Sequence, residues 1–186
     1  MNVFRLEMRN TWKGTLKWAI ALCAITFLML AFFPSMQTEG MKELAGVKLE
    51  GLDPMLLEAL GLAEMADFTV ITNFFGYLLQ FTSLAIMIFV MQFAVNSLVK
   101  EESDGTIEFL YSKPITRSSI YVQKSLAAAL SFFLLIVALY IVTVTGYVLF
   151  SEYGLAESIE ELAKLYGAVL FAGFVFMAPG MLFSSL

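Results

Sequence analysis

The chain has 186 residues, of which 60% are apolar, 15% aromatic and 15% charged, whereas an ordinary soluble domain is roughly 45–50% apolar and 25% charged. With a mean hydropathy of +0.82, that composition excludes a water-soluble globule and a disordered chain alike, and leaves an integral membrane protein. The absence of His and the presence of one Cys remove His/Cys zinc sites and Ser-His or Cys-His nucleophiles, and a net charge of -5 argues against a nucleic-acid partner.

Residues 2–14 place Arg5, Arg9 and Lys13 at four-residue spacing beside a stripe of Phe4, Met8 and Trp12. This is the pattern of an amphipathic helix lying in the membrane interface; a plain N-terminal extension of the first span fits the same residues. A bilayer core about 30 Å thick takes about 20 apolar residues as helix. Trp18 to Thr38 carries no charge, which predicts a first span over about 16–35 with Lys17 snorkelling at its start and Pro34 stopping it. Cys23, inside this run, reads as a small packing residue.

The outer loop, 36–67, contains Asp53-Pro54, an N-cap followed by a first-turn proline, ahead of apolar Leu56, Leu57 and Leu60. A short amphipathic helix resting on the outer surface is expected there. Phe68 to Val99 is again free of charge and longer than one untilted crossing needs, so the second span, 68–99, tilts or projects beyond the bilayer. Its Thr72, Asn73, Gln80, Gln92 and Asn96 are candidates for lining a pathway, although hydrogen bonding between helices explains such residues as well.

The connection at 100–122 is the most structured in the chain. Asp104 can cap a helical turn with Ile107, Leu110 and Tyr111 on one face, and Ser112-Lys113-Pro114 breaks it. Thr116 then caps a second helix, with Ile115 and Ile120 as its hydrophobic staple, that continues through Lys124 into a third span over 123–151. Such a connection is either a surface offered to a partner or a well-capped turn that binds nothing. A short acidic loop, 152–164, leads to a fourth span, 165–186, in which Pro179-Gly180 predicts a kink or break.

Charge sets the orientation. Arg5, Arg9, Lys13 and Lys17 outweigh Glu7 before the first span, and Lys100, Lys113, Arg117 and Lys124 lie in the third connection. The second and fourth connections are acidic: Lys42 and Lys48 face Glu39, Glu43, Glu50, Asp53, Glu58, Glu64 and Asp67, and Lys164 faces Glu152, Glu157, Glu160 and Glu161. The positive-inside rule places the N-terminus and the 100–122 loop in the cytoplasm and the acidic loops outside. The expected fold is all-α: an interfacial N-terminal helix and four transmembrane helices in one multi-pass domain of the cell membrane.

Around this loop the sequence resembles the ABC-2 type permease family, the membrane subunits of ABC transporters. The family's stretch, approximately Glu-x-x-x-Gly-Thr-x-Glu-x-Leu-x-x-x-Pro-x-(Ser/Thr)-Arg followed by an apolar pair and a Lys, is matched by Glu101, Gly105, Thr106, Glu108, Leu110, Pro114, Thr116, Arg117, Ile120, Tyr121 and Lys124. The likeness extends over the N-terminal helix, the acidic outer loop and the long second span. It implies a type V exporter-like architecture and a pathway shared with a second permease subunit, as homo- or heterodimer, among membrane lipids. It also implies a separate cytoplasmic ATPase that brings ATP and Mg; the chain needs no cofactor of its own and, lacking a GxxxxGK[ST] phosphate loop, is not expected to be an enzyme. On this resemblance the loop is the coupling element, with Glu101, Asp104, Gly105, Thr106, Ile107, Glu108, Leu110, Tyr111, Pro114, Thr116 and Arg117 as its residues. Family members usually have six spans, so the chain is read as the N-terminal four-span portion, either a fragment or a short subunit whose last two spans a split partner supplies. A membrane anchor or sensor that recruits a cytosolic protein is the competing reading; an ion-coupled carrier is disfavoured by spans free of charge.

Overall fold

The computed structural model describes residues 3–38, 53, 55–56, 70–103 and 116–184, apart from the side chains at 36, 97–103, 117 and 184. Among the described residues the chain forms five helices: α1 (Val3–Ala31), α2 (Phe33–Met36), α3 (Ile71–Ser103), α4 (Arg117–Phe150) and α5 (Leu155–Ser184). All but α2 are long and apolar enough to cross a membrane. Runs rich in Val, Ile and Phe adopt helix because hydrocarbon offers no partner for a backbone N–H or C=O, so each must bond within its own segment.

The basic N-terminal segment and the first span are one helix of 29 residues, α1, so the segment expected in the interface is the first part of the spanning helix. Pro34, which lacks the N–H that would bond the carbonyl of Leu30, ends α1. The chain turns at Phe32, whose N–H reaches the carbonyl of Met29 at 3.1 Å, before the single turn of α2. In the connection between α2 and α3 the Asp53 carboxylate accepts the N–H of Met55 at 2.8 Å, the cap expected of it; residues 57–69 lie outside the described ones.

α5 starts at Leu155, ten residues before the expected span, so most of the acidic 152–164 loop is helix. Its first turns carry their own support. Ser158 Oγ bonds the carbonyl of Gly154 at 2.9 Å, the Glu157 carboxylate faces the N–H of Gly154 at 3.4 Å, and Lys164 pairs with Glu160 at 3.0 Å one turn along. The loop that remains is 151–154, where Ser151 closes α4 on the carbonyl of Tyr147. Pro179 does not end α5, which runs on to Ser184; in a bundle, neighbouring helices make the lost hydrogen bond tolerable.

Helix directions follow from the contacts. Glu7 meets Lys124 and Phe27 meets Phe150, ring centroids 5.6 Å apart, so α1 and α4 run parallel. Thr72 meets Glu161, while a Cβ on Gly180 would lie 2.6 Å from Ala94, so α3 and α5 also run parallel. α4 and α5 are antiparallel, since Tyr140 meets Tyr166 edge-on and Phe132 meets Phe174 edge-on. The result is an up-down-up-down bundle. At one end lie the start of α1, the end of α3, the start of α4 and the end of α5, with Arg5, Arg9 and Lys124; at the other lie the 151–154 turn and the acids of α5.

Close crossings depend on small residues. A Cβ on Gly146 of α4 would stand 2.7 Å from Leu30 Cδ1 of α1, and one on Gly173 of α5 would enter the ring of Phe132. Both positions let backbones approach as membrane helices prefer. The core runs along α4 through Phe132, Leu135, Leu139 and Tyr147, with Phe75 and Phe89 of α3 and Leu30 of α1. The outward faces carry Ile20, Leu84 and Phe171, exposed as lipid-facing side chains are.

Candidate functional site: the basic end and two polar clusters

The loop expected to couple this chain to a partner lies for the most part outside the described residues: Asp104, Gly105, Thr106, Ile107, Glu108, Leu110, Tyr111 and Pro114 all fall in 104–115. What the structure does describe is the frame that holds it. On the entering side, Glu101 belongs to the last turn of α3. On the leaving side, Thr116 has the extended backbone of an N-cap (φ -72°, ψ 147°), and its Oγ1 accepts the N–H of Ser119 at 3.3 Å. Arg117 is the first residue of α4. The helix expected to start at Thr116 and run through Lys124 into the third span does so.

Behind that cap, α1 is fastened to the first turns of α4. Val3 and Ile120 bury each other. One turn further in, the amide of Gln123 is held on both sides: Nε2 donates to Ser119 Oγ at 3.0 Å, and Oε1 accepts the N–H of Phe4 at 3.2 Å. Phe4 N–H is among the first four of α1, which find no acceptor within their own helix; Gln123 supplies one. Next to it, Lys124 Nζ pairs with Glu7 Oε2 at 3.4 Å, and Lys124 is 1% exposed. Further along, Ser131 Oγ lies 3.7 Å from Met8 Sδ, and Ser125 Oγ lies 3.8 Å from Met181 Sδ near the end of α5.

Sequence reasoning missed this junction. Glu7 counted there only as the acid among basic neighbours, and Lys124 as a basic residue of the third connection and the last residue of a motif, not as partners. The usable signal was an acid within a basic amphipathic segment, matched by a lysine at the boundary of an uncharged run.

At the opposite end a second cluster joins α3, α4 and α5. Thr72 Oγ1 donates to Glu161 Oε2 at 2.7 Å, Tyr166 OH and Thr143 Oγ1 are 2.7 Å apart, and Tyr140 OH donates to the carbonyl of Ile159 at 2.8 Å. Phe75 packs edge-on against Tyr147, centroids 5.6 Å apart. The candidate pathway residues therefore do not converge. Thr72 is tied to Glu161, half-buried Asn73 has a partner of its own, and Gln80, Gln92 and Asn96 face outward from the described bundle. From Thr72 to Asn96 is about 36 Å along a helix, a series spread over the membrane's thickness. No group of acids or Cys suited to a metal occurs among the described residues.

Comparison with known families gives one finding: the model of the ABC-2 family transporter proteins matches residues 1–186. No curated protein and no solved structure matches the chain.

Proposed function

Since the chain belongs to the ABC-2 family of transporter proteins and is thereby a multi-pass permease subunit of an ABC transporter, we propose that it is half of an exporter driven through its 100–122 loop. A cytoplasmic ABC ATPase, of the kind the family associates with, binds ATP and Mg and grips this loop. Closure of the ATPase pair displaces the loop, and the attached α3 and α4 convert the displacement into alternating access. A second permease subunit completes the pathway. The exposed Gln80, Gln92 and Asn96 of α3 turn toward that subunit or the pathway rather than toward lipid, where their amides would lack partners.

The observation that carries this reading is the separation of charge between the two ends. Arg5, Arg9 and Lys124 gather where the loop leaves and re-enters the bundle, and Glu152, Glu157, Glu160 and Glu161 gather at the other end. Read by the positive-inside rule, the loop and the N-terminus are cytoplasmic, where an ATPase is within reach.

Reversing charge in the loop, Glu108→Arg or Arg117→Glu, is expected to uncouple ATP hydrolysis from transport while membrane insertion stays intact. The measurement is permease-dependent ATP hydrolysis and ATPase co-purification after reconstitution in proteoliposomes. Wild-type values for both variants would remove the loop from the coupling role.

A further inference from the structure

α1 and α4 are both longer than the bilayer requires, and their excess lies at the same end. The 34 residues of α4 span about 51 Å against a hydrocarbon core of about 30 Å. Its uncharged part begins after Lys124, so the turns from Arg117 project from the core. α1 opens with exposed Arg5 and Arg9, and its first turns lie beside those of α4, whereas from Met8, which faces Ser131, it runs along the uncharged part of α4. Glu7–Lys124, Gln123–Phe4 and Val3–Ile120 lie where the two projecting helices meet.

We propose that these contacts are a clasp that makes the two projections one rigid stalk, with Glu7 and Lys124 as positioning residues, so that the loop ending at Thr116 drives α1 together with α4. The proposal rests on the coupling role of the loop. Its physical basis is the cost of opening the joint. Separating the helices would leave a lysine and a carboxylate without their mutual charge, and would strip the Phe4 N–H of its acceptor. A displacement delivered at Thr116 is therefore not absorbed at the junction but carried into the membrane by both helices.

The test uses the complex with its ATPase and second permease subunit in proteoliposomes. Spin labels are placed at exposed Leu6→Cys and Val122→Cys in a Cys23→Ser background, and the distance between them is measured without nucleotide and after trapping with ATP and orthovanadate. A rigid stalk keeps that distance within about 2 Å between the two states, the scale of small helix shifts, whereas a change above about 5 Å, one helical turn, overturns the clasp. In parallel, Glu7→Gln and Lys124→Met are expected to lower permease-dependent ATP hydrolysis by at least about fivefold, a typical coupling loss, with the ATPase still co-purifying. The swapped pair Glu7→Lys with Lys124→Glu is expected to recover most of it. Single variants with wild-type hydrolysis, or a swap that recovers nothing, count against the clasp. Glu108→Arg and Arg117→Glu separate the two levels: if both leave hydrolysis and co-purification untouched, the coupling role itself falls. If either uncouples while the labels move apart, only the clasp does.

Discussion

Lys124 sits at the boundary between a charged loop and an uncharged span, and its buried ammonium is paired with Glu7. Removing one partner of a buried pair strands the other and costs about 3–5 kcal/mol, whereas replacing both with apolar groups of similar volume is close to neutral. Lys124→Met alone is thus expected to destabilise the purified protein by that amount, and Glu7→Leu with Lys124→Met to recover most of it, as measured by denaturant titration in detergent. Thr116→Ala, which removes the oxygen that accepts the Ser119 N–H, is expected to cost about 1 kcal/mol. The two residues differ in how far the sequence announced them. A threonine before an amphipathic stretch is a local signal, and its cap was legible. An ion pair between residues 7 and 124 is not local, and nothing in either neighbourhood names the other.

At the level of elements, the uncharged runs coincide with four helices long and apolar enough to cross a membrane, because the hydrocarbon core enforces helix wherever charge is missing. The same criterion misplaced the start of α5. A helix that leaves the bilayer can continue in water on its own caps and ion pairs, as Glu157, Ser158 and the Glu160–Lys164 pair do, and hydropathy alone reads such a stretch as loop. The adjacency of α1 with α4 and of α3 with α5 was hidden, since it depends on which faces carry the small residues, whereas their parallel sense follows from the alternation of the spans. Gly173→Leu is expected to cost about 1–3 kcal/mol by overpacking against Phe132, and to split α5 from α4. A lowered unfolding midpoint and loss of a cross-link between cysteines at Ser125 and Met181 would register it, whereas unchanged values would show that the crossing has room.

For the whole molecule, the four membrane-length helices among the described residues and the charge at each end make one topological statement. A cysteine introduced at Tyr153, in the turn between α4 and α5, should react with a membrane-impermeant maleimide added outside intact cells, in a Cys23→Ser background. A cysteine at Thr116 should react only after permeabilisation. The opposite pattern would put the loop out of reach of any ATPase. The motif matched by Glu101, Gly105, Glu108, Pro114 and Arg117 marks the loop as the candidate site in the sequence alone. Its mounting on a joint between α1 and α4 required tertiary contacts.

The brevity of the 151–154 turn also bears on how the protein reaches the membrane. With so little chain between them, α4 and α5 are expected to insert as a hairpin, and in the proposed orientation the hairpin's tip carries Glu152, Glu157, Glu160 and Glu161 across the bilayer with Lys164 to offset them. A membrane potential negative inside favours outward passage of an acid by about 2.3 kcal/mol per charge per 100 mV. Biogenesis of this half of the chain should therefore be electrophoretic: dissipating the potential with an ionophore during synthesis is expected to delay the surface appearance of the Tyr153→Cys label, and neutralising the four acids to blunt that delay.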